Sequence, residues 1–257
     1  MLQHVHDLPS YVEASGHRLE YADIAGGKPE LVFLHEGLGS VSLWRDFPQR
    51  LAERTGRRAI VYSRAGFGRS SPRTTAYNTG FMHQEAFHVI PALREKLGIG
   101  TPVLVGHSTG ASMALIHAGR FTVAGVVGMA PFAFVEDSNL ESIRAARDRY
   151  AHMRDRLARH HDNVDDVFHG WSDLWLDPAF AGWSIDADLA EIRCPILAIL
   201  GERDEYCTSA QLDRIAAAAR HAKIQRMLLA DCGHSPHRDQ PQVVLAAIDR
   251  FIESLEA

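Results

Sequence analysis

The sequence predicts an open, mostly parallel α/β sheet with helices on both faces and a helical insertion in the second half of the chain. Three observations predict it. From residue 31 onward, short apolar runs alternate with longer helical patterns. Several of those runs are apolar at every position, as strands covered on both faces must be. One stretch, 132 to about 190, breaks the rhythm and holds no clear strand. The chain has 257 residues, 46% hydrophobic and 23% charged, which suits a large globular core.

Taken in order, Tyr11–Ala14 and Arg18–Tyr21 alternate in polarity around Ser15-Gly16 and predict a hairpin. The runs Leu31–Leu34, Ala59–Tyr62, Val103–Val105, Val123–Met129, Pro195–Leu200 and Ile224–Leu229 predict the sheet strands. Helical patterns cover Leu43–Arg54, Phe81–Leu97, Ala111–Arg120, Ser209–Arg220 and Pro241–Leu255. The sheet domain is therefore expected to comprise 1–131 and 191–257, with 132–190 as an inserted helical cap. That cap holds a charged helical run, Leu140 to about His160, and an aromatic-rich piece, Phe168–Trp183. In such sheets the site lies beyond the carboxyl ends of the strands.

Charge and composition narrow the function. A net charge of -5 argues against nucleic acid or an anionic membrane as the main partner. Three cysteines without a C-x-x-C pair argue against a disulfide framework or an all-cysteine zinc site. The first ten residues show no basic region followed by an apolar one, and no apolar run is long enough to span a bilayer. A soluble, cytoplasmic protein acting on a small molecule is expected; no residue pattern specifies an oligomeric state.

The strongest chemical signal is Gly106-His107-Ser108-Thr109-Gly110, between a strand and a helical pattern. This is the context of a nucleophile elbow. Glycines let chain segments pass closely at a sharp turn, and the helix behind it directs free N–H groups at developing negative charge. A serine hydroxyl is a weak nucleophile near neutrality, so a base and an orienting carboxylate are expected further along the chain. His234, after the last strand run, suits the base. Asp204, after Pro195–Leu200, suits the carboxylate, with Glu202, Glu205 and Asp231 as rivals. The N–H groups of Thr109 and Gly37 are the expected oxyanion donors. A dinucleotide reading of Gly37-Leu38-Gly39 fails at Ser42, where a third glycine belongs.

Together with His35-Glu36-Gly37-Leu38-Gly39, Ser63–Ser70, Gly201–Asp204 and Gly233-His234, these segments resemble the α/β-hydrolase family along the whole chain. The arrangement is most similar to small bacterial hydrolases with a cap inserted after the sixth strand. They include carboxylesterases, thioesterases, enol-lactonases, haloperoxidase-like esterases and carbon–carbon bond hydrolases. The resemblance implies the fold, a Ser-His-Asp mechanism and no cofactor. A small ester or thioester is the expected substrate. A lactone or a carbon–carbon bond is the alternative, and a non-catalytic ligand receptor a further one. The elbow serine argues against the dehalogenase and epoxide hydrolase branches, which use Asp there.

Two residues depart from the family pattern. Glu36 stands where glycine is common, and Ser63 where Asp is common. The Glu36 side chain is expected to point away into a structural hydrogen bond, with contact to substrate or water as the alternative. The Ser63 loop reads as scaffold. His161, Asp165 and His169, spaced i, i+4, i+8, read as a solvated helix face rather than a metal site. Six arginines from Arg144 to Arg159, interleaved with Glu141, Asp148 and Asp155, read as a salt-bridged surface. Cys207 and Cys232 read as packing residues. Phe132, Phe134, Trp171 and Trp175 either pack the cap on the sheet domain or roof an acyl pocket. Such a pocket would favour an apolar or aromatic acyl group over a highly charged one.

Overall fold

The computed structural model describes residues 10–255; residues 1–9, read above for a leader, lie outside them. Eight strands form one sheet: β1 (Ser10–Ala14), β2 (His17–Ile24), β3 (Gly27–Leu34), β4 (Arg57–Tyr62), β5 (Val103–His107), β6 (Gly125–Met129), β7 (Ile196–Gly201) and β8 (Ile224–Leu229). Their spatial order is β1-β2-β4-β3-β5-β6-β7-β8. The β1–β2 and β2–β4 pairs are antiparallel and the remaining neighbours are parallel. Ser15 and Gly16 close the hairpin with φ of 51° and 78°. That double left-handed turn matches the twist of the paired strands.

The continuous apolar runs have a direct cause. Val32, Leu34, Ile60, Leu104 and Val126 enter the core on one face of the sheet. Leu31, Phe33, Val61, Val105 and Val127 enter the core on the other. Every position of a central strand is thus buried, and the period-2 signal vanishes. Strand β8 departs from the expected buried run. It is the edge strand, it contains Gln225 and Arg226, and Leu228 is 47% exposed.

Two helices differ from their sequence pattern. The stretch 43–54 splits into a short 3-10 turn, Val41–Trp44, and a helix, Phe47–Thr55. Arg45 sits between them at φ 55°, outside the helical region, and Pro48 opens the helix proper. The rod from Phe81 to Lys96 is interrupted by a π turn at Glu85–Val89. Pro91 lies just beyond and has no N–H to offer a preceding carbonyl, so the local bonding widens. Helices Thr109–Ala118, Ala210–Ala218 and Pro241–Glu253 lie where the pattern puts them.

Between β6 and β7 run the helices Asp137–Asp148, Tyr150–Ala158, Val164–Leu176 and Asp186–Glu191. Extended pairing in this stretch is limited, among the described residues, to a bridge between Phe134 and Ser184. Ala146, Leu157, Val164 and Phe168 give these helices an apolar cluster of their own. Among the described residues, no helix is long and apolar enough to cross a membrane.

Candidate active site

Ser108 sits at the turn between β5 and the helix Thr109–Ala118 with φ 55° and ψ -124°. L-residues rarely adopt that conformation, and the surrounding chain enforces it. A Cβ on Gly106 would collide with the Ala111 backbone, and one on Gly110 with the Leu34 carbonyl. The Ser108 N–H donates to the Met129 carbonyl at 2.8 Å, tying the elbow to β6.

The loops after β7 and β8 bring Asp204 and His234 to the same point. His234 Nε2 lies 3.0 Å from Ser108 Oγ. His234 Nδ1 lies 2.9 Å from both Asp204 oxygens. Of the rival carboxylates, Glu205 accepts only the His234 backbone N–H, at 3.3 Å, and Asp231 pairs with Arg203. Asp204 also accepts the N–H groups of Tyr206 at 2.8 Å and Cys207 at 3.1 Å, and the Cys207 thiol at 3.2 Å. Burial alone would push the Asp204 carboxyl up. The His234 ring, the Tyr206 N–H and the thiol outweigh it and hold the carboxyl below its ordinary value. Cys207 is therefore more than packing. It is a third donor to the acid, and no spacing signal in the sequence marks it. Asp204, Cys207 and His234 also present three ligand atoms within 4.8 Å of one another. Burial, then the neighbouring Asp204 charge, push the thiol well above its ordinary value, which opposes the thiolate a metal would need.

Opposite His234, the loop after β3 presents Gly37. Nothing among the described residues accepts from the N–H of Gly37 or Thr109. The loop is held from behind by Arg64, whose guanidinium donates to the carbonyls of His35 at 2.6 Å and Glu36 at 2.9 Å. His35 Nδ1–H donates to the Glu36 carbonyl at 2.8 Å, and Nε2 accepts the Arg64 N–H at 3.1 Å. With the carbonyls turned toward Arg64, the following N–H is free to face the cavity. Burial, then the Arg64 charge, hold His35 well below its ordinary value, so it is neutral. In the sequence the Ser63–Ser70 segment reads as scaffold, and no spacing signal marks this contact of Arg64 with the Gly37 loop. A Cβ on Gly37 would strike the Trp171 indole, which packs directly over the loop.

Glu36 does not point away. It lines the cavity, with one oxygen 3.5 Å from Arg238 and the other 3.5 Å from His107 Nδ1. Burial would raise its pKa, but His107 and Arg238 hold it well below the ordinary carboxylate value. His107 Nε2–H donates to the His234 carbonyl at 2.7 Å. The second elbow residue thus links the Glu36 loop to the His234 loop.

Ser108 and His234 open into a cavity of about 460 Å³. Phe132, Trp171 and Trp175 line it. Phe134 does not: it is turned to the bridge with Ser184 and lies under Arg214, 5.6 Å from the ring centroid. The wall is not uniformly apolar. Arg45, Arg156, Arg159 and Arg238 line it, against Glu36 as the one carboxylate. The expected salt-bridged surface thus holds for Arg147 with Asp173 and Arg154 with Asp165, but not for Arg156 and Arg159. The solvated face expected of His161 is also wrong. His161 precedes its helix, is 2% exposed, accepts the Gly68 N–H and donates to the Leu38 carbonyl, each at 3.0 Å. A separate cavity of about 430 Å³, between Gly66–Tyr77 and Asp162–Val167, contains none of Ser108, Asp204 and His234.

A profile of the Alpha/beta hydrolase family matches residues 31–247, and the chain belongs to that family. Proline iminopeptidase of Lactobacillus delbrueckii subsp. lactis is 31% identical over 102 residues, 40% of this chain and 35% of the relative. The match thus spans about a third of that relative's length. Proline iminopeptidase of Mycobacterium smegmatis has a similar structure, with TM-score 0.78 at 17% identity over 96% of this chain and 98% of the other. The enol-lactonase of Burkholderia xenovorans superposes with TM-score 0.74 at 18% identity over 95% and 100% of the two chains. At such identities the likeness shows the shared fold.

Proposed function

We propose that the protein is a cofactor-free serine hydrolase that cleaves a small ester or thioester with an apolar or aromatic acyl group. One observation carries the reading: an unbroken chain of contacts from Asp204 through His234 to Ser108 Oγ, opening on a cavity beside two N–H groups that lack an acceptor among the described residues. His234 takes the Ser108 proton as Oγ attacks the carbonyl carbon. Asp204 fixes the ring by accepting from Nδ1–H and balances the imidazolium. The charge that develops on the carbonyl oxygen falls to the Gly37 and Thr109 N–H groups. His234 protonates the leaving oxygen or sulfur as the tetrahedral intermediate collapses to an acyl ester on Ser108. Water, deprotonated by His234, then attacks that ester, releases the acid and restores the hydroxyl. Phe132, Ile143, Leu157 and Trp171 supply the apolar wall for the acyl group. The free thiols of Cys194, Cys207 and Cys232 fit a cytoplasmic setting.

The test is to trap the acyl-enzyme. p-Nitrophenyl butyrate, mixed with enzyme and acid-quenched, is expected to leave a butyryl group on the Ser108 peptide in mass spectrometry. Ser108→Ala protein should carry none. Turnover that persists in Ser108→Ala, or no adduct and no turnover across esters and thioesters, would overturn the reading.

A further inference from the structure

The chain as a whole carries a net charge of -5, yet its cavity is lined by four arginines and one carboxylate. Only Arg238 is matched to that carboxylate, at 3.5 Å. Among the described residues no carboxylate pairs with Arg45, Arg156 or Arg159. Elsewhere on the surface arginines find acidic partners: Arg54 with Asp249, Arg58 with Asp23, Arg214 with Asp186. Three arginines with no carboxylate partner among the described residues, Arg45, Arg156 and Arg159, gather on this one cavity wall. Arg45 is held there at φ 55°, a conformation that an arginine rarely adopts, at the end of the turn that follows the Gly37 loop. His160 sits among them, its Nδ1 2.8 Å from Ser42 Oγ. Burial first, and then the charges of Arg159, Arg238, Arg45 and Arg69, hold its ring below the ordinary value. Four arginine charges thus bear on this point of the wall.

Resting on the hydrolase reading of Ser108, we infer that the cavity selects substrates bearing an anion, a carboxylate or phosphate, away from the scissile carbonyl, with Arg45 and Arg159 as its partners. Guanidinium forks match both groups in geometry and retain their charge across the working pH range. Within low-dielectric walls, a cluster of one sign also raises the local concentration of a substrate of the opposite sign. The apolar lining receives the acyl body and the rim receives the charge. A substrate with a cationic group would meet four arginines against one glutamate.

The experiment compares activated esters that share one leaving group: p-nitrophenyl valerate, neutral, and p-nitrophenyl hemisuccinate, carboxylate-bearing, with p-nitrophenyl 3-phosphonopropionate as the phosphate-like arm. The anionic-to-neutral ratio of kcat/KM is expected to exceed unity by about 10-fold or more at low salt, and to shrink as salt rises toward 1 M, where the screening length falls to about 3 Å. Arg45→Gln and Arg159→Gln should each lower that ratio about 5- to 10-fold, and Arg159→Lys should recover part of it. A larger loss for the carboxylate arm or for the phosphate arm names which anion the rim prefers. Binding of phenylacetate and phenyl phosphate to Ser108→Ala protein, by calorimetry, reads the rim without turnover. A ratio near one that is indifferent to salt and to both substitutions, or no binding of either anion, overturns this inference while leaving neutral-ester turnover intact. Loss of turnover and of acyl-enzyme on every ester would sink the hydrolase reading alone, since anion binding by the Ser108→Ala protein would still stand.

Discussion

Two carboxylate–histidine pairs flank the same serine, and they are built differently. Asp204 lies 2.9 Å from His234, and its oxygens are filled by two N–H groups and a thiol. Glu36 lies 3.5 Å from His107 and shares its charge with Arg238. Both carboxyls are held below their ordinary values. What separates them is where the second ring nitrogen goes. His234 Nε2 reaches Ser108 Oγ, whereas His107 Nε2 is occupied by the His234 carbonyl. Under the proposed hydrolase reading, the same pair of residue types is a proton relay on one side and a wall on the other. Ring placement, rather than the presence of an acid beside a histidine, assigns the chemistry.

The largest expected effects test that assignment directly. Ser108→Ala should lower kcat by about 10⁶-fold while the circular dichroism spectrum is unchanged, because loss of the nucleophile disables the whole unit. Asp204→Asn should cost on the order of 10⁴-fold, through loss of the charge that orients and stabilises the ring. Glu36→Gln keeps the shape of the wall and should cost about 10-fold or less, since no proton passes through it. Steady-state rates of the three variants on one activated ester decide the matter. A Glu36→Gln loss that equals or exceeds that of Asp204→Asn would reverse the roles of the two pairs.

The Asp204 side was legible in the sequence and the Glu36 side was not, for a physical reason. Gly106, Gly110, Ser108, Asp204 and His234 follow strands whose apolar runs mark them, and the sheet then fixes where the loops emerge. The glycines are demanded by close backbone approach, so residue type alone carries the signal. Arg64, His107, Cys207 and the cavity arginines carry no such mark. Arg64, His107 and the cavity arginines act through contacts between separate elements, which spacing cannot encode, and Cys207, only three residues after Asp204, has a side chain that in sequence reads as packing. Arg156 and Arg159 illustrate the loss. In the sequence they continue a charge-alternating run that looks like solvated helix, and only the path of the chain between β6 and β7 places them on the cavity. Phe134 failed in the opposite way: its proximity to Phe132 in sequence suggested a shared wall, but the Ser184 bridge turns it aside.

A smaller effect concerns the indole over the Glu36 loop. Trp171 packs on Gly37, beside the expected oxyanion donor, whereas Trp175 is 1% exposed and packs against Phe132, the rings tilted by 57° with centroids 4.9 Å apart. Trp171→Ala should shift the preference among acetyl, hexanoyl and benzoyl esters by several-fold, as one methylene in an apolar pocket is worth about 1–3 kcal/mol. Trp175→Ala should chiefly lower the melting temperature, since removing a buried Trp side chain costs about 3–5 kcal/mol. Kinetics and thermal melts on both variants separate the two roles. An unchanged acyl preference in Trp171→Ala would make that residue packing as well.

The smallest effect sharpens the comparison through pH. The Asp204 side is secured by a carboxyl with a depressed pKa, so its contribution is present above the ordinary value of 3.8 and fades only as pH falls below it. The Glu36 loop is secured differently, by His161, which bonds Gly68 and Leu38 and must stay neutral to accept at one nitrogen while donating at the other. Burial, more than any other cause, pulls its pKa down from 6.5 to about 4. Between those values the unfolded chain binds the proton and the folded chain does not, so stability falls as pH falls through that window. The slope per histidine approaches 1.4 kcal/mol per pH unit. His117, also lowered to about 4, chiefly by burial, adds a parallel loss from another part of the core. Urea midpoints at several values from pH 7 to pH 4.5 should therefore drop for the wild type. They should drop less steeply for His161→Gln, which is less stable at pH 7 but has no ring to charge. Equal slopes for the two proteins would show that His161 does not hold the loop in its neutral form, and would leave the other buried histidines with lowered values, His35, His117 and His237, as the source of the acid sensitivity.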